Sequence, residues 1–174
     1  MIQVRYRINL IILLLFSLVS MNAHASLDTS LNSIDDSKHK LSEYIGHGKW
    51  VVLNIWGTRC PPCREEMPEL VNFHDKHKND DAIVVGIAID FPSYGYAKKN
   101  EVVSFADDHL IDFPILLSDS TITEKIGLGR LEALPTTYLF DPTGTLVGAQ
   151  VGAITKKILE NFIKKNKAAN PEQL

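Results

Sequence analysis

The sequence predicts an α/β fold in which helices flank a central mixed β-sheet. Two apolar runs, Trp50 to Trp56 and Ile83 to Ile89, have the nearly unbroken hydrophobicity of strands covered on both faces. Between them, apolar residues recur at helical spacing from Cys60 to about Lys78. Near the C-terminus, residues 141–144 have proline second and glycine last, which is typical of a type I turn and predicts an antiparallel hairpin.

The remaining elements follow from the same periodicities. Residues 26–48 are polar and irregular, with a short helix expected at Leu41 to Ile45. After Ile89, apolar spacing predicts a helix marked by Val102, Phe105, Ala106 and Leu110. A strand at Phe113 to Leu117, helical turns at Thr121 to Ile126 and strands at Thr136 to Phe140 and Thr145 to Val151 are expected next. The final helix has its apolar residues on one face: Ile154, Ile158, Leu159, Phe162 and Ile163. The absence of repeats and linkers predicts one continuous domain.

Residues 1–25 have the pattern of a secretory signal peptide. Arg5 and Arg7 precede a 12-residue apolar stretch from Ile8 to Val19, and Ala23-His24-Ala25 fits a small-x-small cleavage site. An uncleaved anchor is the alternative, but the stretch is short against the roughly 20 residues that span a bilayer. Cleavage leaves residues 26–174 as the mature domain, and we expect contact with a membrane only where the signal is retained.

The composition of the mature chain excludes some classes of partner. Its 149 residues include 16 basic and 21 acidic side chains, which gives a net charge of −5. A chain with this balance is not expected to bind nucleic acid or an anionic membrane surface. Its length is sufficient for one domain with a hydrophobic core.

The only two cysteines, Cys60 and Cys63, lie where the first predicted strand gives way to the first helix. Cys60 is expected at the N-cap, where the helix dipole and the neighbouring charge of Arg59 favour its thiolate, the nucleophile in disulfide exchange. Pro61 suits the first helical position, because the N–H that it lacks would have had no helical partner. Cys63, one turn on, is expected to be more buried and to act as the resolving thiol.

These positions predict a two-step reduction of a substrate disulfide. Cys60 attacks the substrate and forms a mixed disulfide. Cys63 then attacks Cys60, which releases the reduced substrate and leaves an oxidised pair. We expect this cycle to need neither a cofactor nor a metal.

Two other uses of the cysteines are less well supported. A structural disulfide would close only a tiny loop, so its entropic benefit would be small. A metal site formed with His74 and His77 is disfavoured, because Cys63 and His74 share the predicted helix and lie about 16 Å apart at ~1.5 Å per residue. We expect His74 to be a partly buried packing residue and His77 to face solvent.

The segment from Trp56 to Cys63, with residues 64–70 after it, resembles the active-site segment of the thioredoxin superfamily. Within that superfamily it is most similar to the exported TlpA/ResA-like thiol–disulfide oxidoreductases. The run Leu134-Pro135-Thr136-Thr137 resembles the superfamily's cis-proline loop, and Gly144 lies in the following hairpin turn as in the family. An insertion from Phe91 to Asp112, after the central strand, also suits this subgroup. The resemblance covers roughly residues 33–165 and implies a thioredoxin-like fold.

The resemblance also implies roles for single residues. The peptide bond before Pro135 is expected to be cis, with the backbone of Leu134 pairing with extended substrate, whereas an ordinary trans turn is the alternative. Trp56 is expected to pack under the dithiol and to contribute to substrate binding with Leu134 and Pro135, although a core tryptophan without a redox role also fits. Thioredoxin's buried aspartate is replaced by Asn54. We therefore expect Asp90 to handle the proton of Cys63 with a raised pKa, unless it only caps a helix or orders a loop.

As a function, the resemblance implies a periplasmic reductase of protein disulfides, such as those of apocytochrome c, that is re-reduced by a membrane thiol carrier. Pro61-Pro62 removes an amide donor that would stabilise a thiolate and so favours a reducing dithiol, whereas Arg59 has the opposite effect. A disulfide oxidant or isomerase on the same fold is the first alternative. A metal chaperone is the second, although the motif loop offers no third ligand. A peroxidase is disfavoured, because Gly57 stands where a Thr-x-x-Cys arrangement needs threonine.

Overall fold

The computed structural model of the protein describes residues 27–169, so the predicted signal peptide lies outside the described residues. One sheet of seven strands forms the centre of this region. Its strands are β1 (Ser30–Ser33), β2 (Lys38–Lys40), β3 (Trp50–Trp56), β4 (Ala82–Ala88), β5 (Ile115–Leu117), β6 (Thr136–Phe140) and β7 (Leu146–Val151). The helices are α1 (Pro61–His77), α2 (Lys99–Asp108), α3 (Ile122–Lys125) and α4 (Lys156–Ala169), with a 3-10 turn at Leu41–Glu43.

The sheet is mixed, as the sequence predicts. Its strand order is β2-β1-β5-β4-β3-β6-β7. The central strands β3, β4 and β5 are parallel, whereas β6 pairs with β3 in antiparallel register and forms a hairpin with β7. All seven residues of β3 are buried, which explains why this strand is apolar at every position except Asn54. The predicted α/β fold with an antiparallel C-terminal hairpin is confirmed.

The N-terminal region is more ordered than the sequence predicts. The strands β1 and β2 form an antiparallel hairpin, and β1 joins the sheet beside β5. Asp35 stabilises the turn by accepting hydrogen bonds from the backbone N–H and the hydroxyl of Ser37. Because only one face of β1 is buried and β2 is three residues long, the pair carries little apolar signal. The prediction of an irregular segment was therefore wrong.

Leu110 is a second departure from the expected pattern. The helix α2 ends at Asp108, and Leu110 adopts a positive φ of 53°. Its side chain is 81% exposed, whereas Val102, Phe105 and Ala106 are buried as predicted. The prediction extended the buried face of this helix one turn too far, because the helix ends before Leu110 and its side chain does not lie on that face.

The two histidines of α1 have different environments. His74 is buried, its Nδ1 accepts a hydrogen bond of 3.0 Å from the N–H of Val84, and burial lowers its pKa. The prediction that it is a packing residue is confirmed. His77 was expected to face solvent, but its side chain is only 16% exposed and contacts the carboxylates of Asp81 and Glu160. That prediction was wrong, because α4 packs across this end of α1.

Candidate active site

Cys60 and Cys63 are joined in a disulfide at the N-terminus of α1, with their Cα atoms 5.3 Å apart. Cys60 is the N-cap residue, and its carbonyl accepts the first helical hydrogen bond from the N–H of Arg64 at 3.1 Å. Cys60 is 1% exposed and Cys63 is fully buried, so the expected contrast in burial between them is very small. The predicted placement of the pair at a strand-to-helix junction is confirmed.

Proline occupies the first two positions of α1, Pro61 and Pro62. Neither residue has a backbone N–H. A helix N-terminus usually attracts an anion through the free N–H groups of its first turn. Here Cys63 is the only one of the first three helical residues that has such an N–H. This end of the helix stabilises a thiolate less than an ordinary first turn does, although the helix dipole remains.

The motif loop, the loop before β6 and the segment after β4 meet at Gly57. A Cβ atom on this glycine would lie 3.0 Å from the carbonyl oxygen of Ile89, 3.1 Å from Cβ of Phe91 and 3.6 Å from Cδ1 of Leu134. Only a residue without a side chain leaves room for this approach. The close contact brings Leu134, and the loop that contains it, beside the cysteine motif.

The peptide bond between Leu134 and Pro135 is cis, which confirms that part of the prediction. The carbonyl of Pro135 accepts a hydrogen bond of 2.8 Å from the N–H of Gly152, and the hydroxyl of Thr136 donates one to the carbonyl of Ala133. These contacts hold the loop at both sides of the proline. Pairing of Leu134 with substrate remains a prediction.

Trp56 is the last residue of β3 and is fully buried. Its ring lies 5.1 Å from that of Phe105 on α2. The indole also explains why position 86 on β4 is a glycine, since a Cβ atom there would lie 2.9 Å from Nε1 of Trp56. The tryptophan therefore joins β3 and β4 to α2, and a role toward substrate remains a prediction.

Asp90 follows β4, but its surroundings differ from those expected. Its carboxylate accepts hydrogen bonds from the hydroxyl of Ser93 and from Nη2 of Arg59, and Lys98 lies 3.8 Å away. The hydroxyl of Ser93, and after it the Arg59 guanidinium, hold the pKa of Asp90 below its usual value. The expected rise in pKa was wrong, because this carboxylate is paired with donors and cations instead of being isolated in an apolar pocket.

The carboxylate with a raised pKa is Glu66, which the sequence analysis did not identify. Glu66 lies on α1 one turn after Cys63 and is 2% exposed. Nδ2 of Asn54 donates to its Oε1 at 2.9 Å, and the N–H of Ile154 donates to its Oε2 at 2.8 Å. None of the ion pairs within residues 27–169 includes it. Burial raises its pKa to about 7, although the two hydrogen bonds act in the opposite direction.

A sequence signal for Glu66 exists in the pattern of α1. Residues three and four positions apart share one face of a helix, so the buried face that carries Cys63 and Leu70 also includes positions 66 and 67. A glutamate at position 66 therefore interrupts an otherwise apolar stripe. The replacement of a buried acid by Asn54 on β3 is the second signal, because Asn54 faces this position and donates to it.

Other features of the described region bear on the site. An open groove of about 520 Å³ runs between the motif loop and α2, and the guanidinium of Arg64 lies 5.3 Å from the ring centre of Phe105 along it.

Among residues 27–169, no three His, Cys, Asp or Glu side chains are grouped so that they could hold a metal ion. Within the same residues, every helix is too short or too polar to span a bilayer.

Comparisons with known proteins agree with this fold and site. The model of the AhpC/TSA family matches residues 23–149. Thioredoxin-like protein YneN of Bacillus subtilis is 35% identical over 76% of this chain and 73% of its own length. Thiol-disulfide oxidoreductase ResA of Bacillus thuringiensis is 35% identical over 68% of this chain and 64% of its own length. The crystal structure of a DsbF homologue from Corynebacterium diphtheriae superposes with a TM-score of 0.68 at 26% identity, covering 79% of this chain and 83% of that one.

The fold and the dithiol define a thioredoxin-like protein of the thiol–disulfide oxidoreductase class. The chain belongs to the AhpC/TSA family. At this level the predicted fold, family resemblance and enzyme class are confirmed.

Proposed function

We propose that the protein is an exported thiol–disulfide oxidoreductase that reduces protein disulfides in the periplasm. The observation that carries the proposal is the Cys60–Cys63 pair at the start of α1, with the buried acid Glu66 one turn further along the same helix. Such a pair supplies two electrons, and such an acid supplies a proton acceptor that is active near neutral pH.

The first step is attack by the Cys60 thiolate on a substrate disulfide. A bond forms between the Cys60 sulfur and one substrate sulfur, and the other substrate sulfur leaves as a thiolate. In the second step the Cys63 thiolate attacks the Cys60 sulfur, the bond between Cys60 and the substrate breaks, and the substrate sulfur that was bonded to Cys60 leaves as a thiolate. The substrate gains two electrons, and the enzyme is left with the Cys60–Cys63 disulfide.

The second step requires that Cys63 lose its proton, and we assign Glu66 as the acceptor. Cys63 and Glu66 are three residues apart on the buried face of α1, where solvent does not reach them. With a pKa of about 7, Glu66 is present in both protonation states at neutral pH. This role replaces the one expected for Asp90, whose pKa is lowered.

Asn54 is suited to both states of Glu66. When Glu66 is ionised, the amide nitrogen of Asn54 donates to it at 2.9 Å and to the hydroxyl oxygen of Thr137 at 3.0 Å. Among the described residues, Oδ1 of Asn54 has no hydrogen-bond partner although it is buried. When Glu66 is protonated, a turned amide lets Oδ1 accept from both the Glu66 acid and the Thr137 hydroxyl.

Two features support reduction as the direction. Pro61 and Pro62 lower the number of amides available to a Cys60 thiolate. The positive charge of Arg59 is neutralised by Asp90 and Glu101 instead of being left free beside Cys60. Less stabilisation of the thiolate destabilises the reduced form, and a less stable reduced form makes a dithiol more reducing.

The substrate is proposed to be an extended peptide segment that contains the disulfide, with its backbone beside Leu134. Support comes from the position of the Pro135 loop at Gly57, next to the cysteine motif. The resemblance to TlpA/ResA-like proteins suggests apocytochrome c as one such substrate and a membrane thiol carrier as the electron donor. The signal-peptide pattern of residues 1–25 supports export to the periplasm.

The test is the reduction potential of Cys60–Cys63 in the purified mature protein, equilibrated with glutathione or dithiothreitol buffers. We expect a value near or below roughly −250 mV, because a reductase must be close to or below thioredoxin at about −270 mV. A value above roughly −180 mV would assign the protein as an oxidant or isomerase and overturn the proposed direction.

A further inference from the structure

Arg59, the residue before the attacking cysteine, has its charge engaged by two carboxylates from other parts of the fold. Its Nη2 lies 2.5 Å from Oδ1 of Asp90, after β4, and its Nε lies 3.4 Å from Oε2 of Glu101, on α2. Asp90 is the more enclosed partner, with a side chain that is 11% exposed against 41% for Glu101. The segment between β4 and β5 therefore supplies both anions that face Arg59.

Lys98 completes the cluster. Its Nζ lies 3.8 Å from Asp90 and 3.5 Å from Glu101. Arg59 and Lys98 carry two positive charges, and Asp90 and Glu101 carry two negative charges, so the cluster is neutral as a whole. Loss of either carboxylate leaves one positive charge in excess next to Cys60. Arg64, the other cation near the motif, lies on the Phe105 ring and takes no part in these pairs.

We propose that Asp90 and Glu101 are positioning residues that hold the Arg59 guanidinium in neutral pairs and so keep the reduction potential of Cys60–Cys63 low. This inference rests on the proposed function of the dithiol as a redox pair. An unpaired guanidinium next to Cys60 would favour the thiolate, stabilise the reduced enzyme and make the pair more oxidising. The two carboxylates thus set the potential through Arg59 without contacting the sulfur atoms.

Asp90 has a structural role in its own loop besides the proposed pairing with Arg59. The backbone of Asp90 accepts from the N–H of Tyr94 and donates to the carbonyl of Gly95, and its side chain accepts from Ser93. Asp90 therefore also orders the loop after β4. Glu101 makes none of these contacts and is exposed on α2, so its substitution tests the charge without disturbing the loop.

The experiment compares reduction potentials and Cys60 thiol pKa values of the mature protein and its variants. We expect Asp90→Asn to raise the ratio of reduced to oxidised enzyme at a fixed glutathione poise about three- to tenfold, where tenfold is ~30 mV. Glu101→Gln is expected to act in the same direction by about two- to threefold, and both variants should lower the thiol pKa. When the same substitutions are made in an Arg59→Met variant, the resulting shifts in reduction potential should be at least threefold smaller, because the cation that pairs with these carboxylates is absent.

Two controls define the outcomes. Ser93→Ala removes the loop contact to Asp90 but keeps the charges, and Asp75→Asn removes a carboxylate paired with Lys78 at the far end of α1. Both should leave the ratio of reduced to oxidised enzyme within twofold of that of the parent. Equal shifts with and without Arg59, or a Ser93→Ala shift as large as that of Asp90→Asn, would overturn the inference. The absolute potential of the parent tests the proposed function separately, since the inference concerns only differences between variants.

Discussion

The Asn54 side-chain amide donates a hydrogen bond of 2.9 Å to the carboxylate of Glu66, linking the central strand β3 to α1 behind the dithiol. Both residues are almost completely buried, and the N–H of Ile154 is the other donor to the same carboxylate. Burial raises the pKa of this carboxyl, and the two neutral donors lower it only in part. The pair thereby places a group that titrates near neutral pH on the buried face that carries Cys63.

Glu66→Gln should slow the resolving step at neutral pH on the order of 100-fold, because general acid–base groups contribute at least about this factor. Attack by Cys60 should be affected much less. Stopped-flow measurement of mixed-disulfide decay in single turnovers separates the two steps. Glu65→Gln is the matched control, since Glu65 is exposed on the same turn. Equal rates for the Glu66→Gln variant and the parent would remove Glu66 from the mechanism.

Glu66 should also make stability depend on pH. Its pKa in the folded protein is about 7, against an ordinary value of 4.5, so the folded state binds an extra proton between these values. Protonation of Glu66 therefore contributes to the free energy of unfolding. This contribution is complete below about pH 4.5 and is lost as the pH rises through about 7. The change is about 3 kcal/mol at ~1.36 kcal/mol per unit. Urea unfolding at pH 5 and pH 8 should show this decline in the parent relative to Glu66→Gln, and parallel curves would contradict it.

Asn54→Ala should raise the pKa of Glu66 further, because the lost amide is one of the two donors that favour the carboxylate. The pH profile of the resolving step should then move to higher pH. Thr137→Val is the control, since it removes the other partner of Asn54 and keeps the contact with Glu66. A profile that stays in place in Asn54→Ala would show that the amide does not tune the acid.

Gly57→Ala should destabilise the fold by about 1–3 kcal/mol, the usual cost of forcing an extra methyl group into a packed site. The new Cβ would lie 3.0 Å from the backbone oxygen of Ile89, which cannot rotate away as a side chain can. Gly95→Ala is the control, because there the nearest atom is the flexible hydroxyl of Ser93 at 3.3 Å. Chemical denaturation measures both variants, and equal stabilities would show that Gly57 has more room than the structure gives it.

The strands and helices around the dithiol could be predicted because each has a strong periodic signal. The strand β3 has the predicted bounds, Trp50–Trp56, since every residue in it is apolar except Asn54. The hairpin of β1 and β2 could not be predicted, because β1 buries only one face and the edge strand β2 has three residues, none of them fully buried. His77 was misplaced for a related reason: the helix that covers it, α4, is far away in sequence.

By itself the sequence determined the family, the α/β fold and the two cysteines of the redox pair, because a three-residue spacing and apolar runs are local properties of the chain. Only the tertiary structure decided which of two acids, Asp90 or Glu66, has a raised pKa. Glu66 lies one helical turn after Cys63, whereas Asp90 follows the next strand, β4. Asp90 meets Arg59 and Ser93, and Glu66 meets Asn54 and Ile154. A pKa depends on burial, which the pattern of α1 indicates for Glu66, and on partners brought together by folding, which no local pattern records.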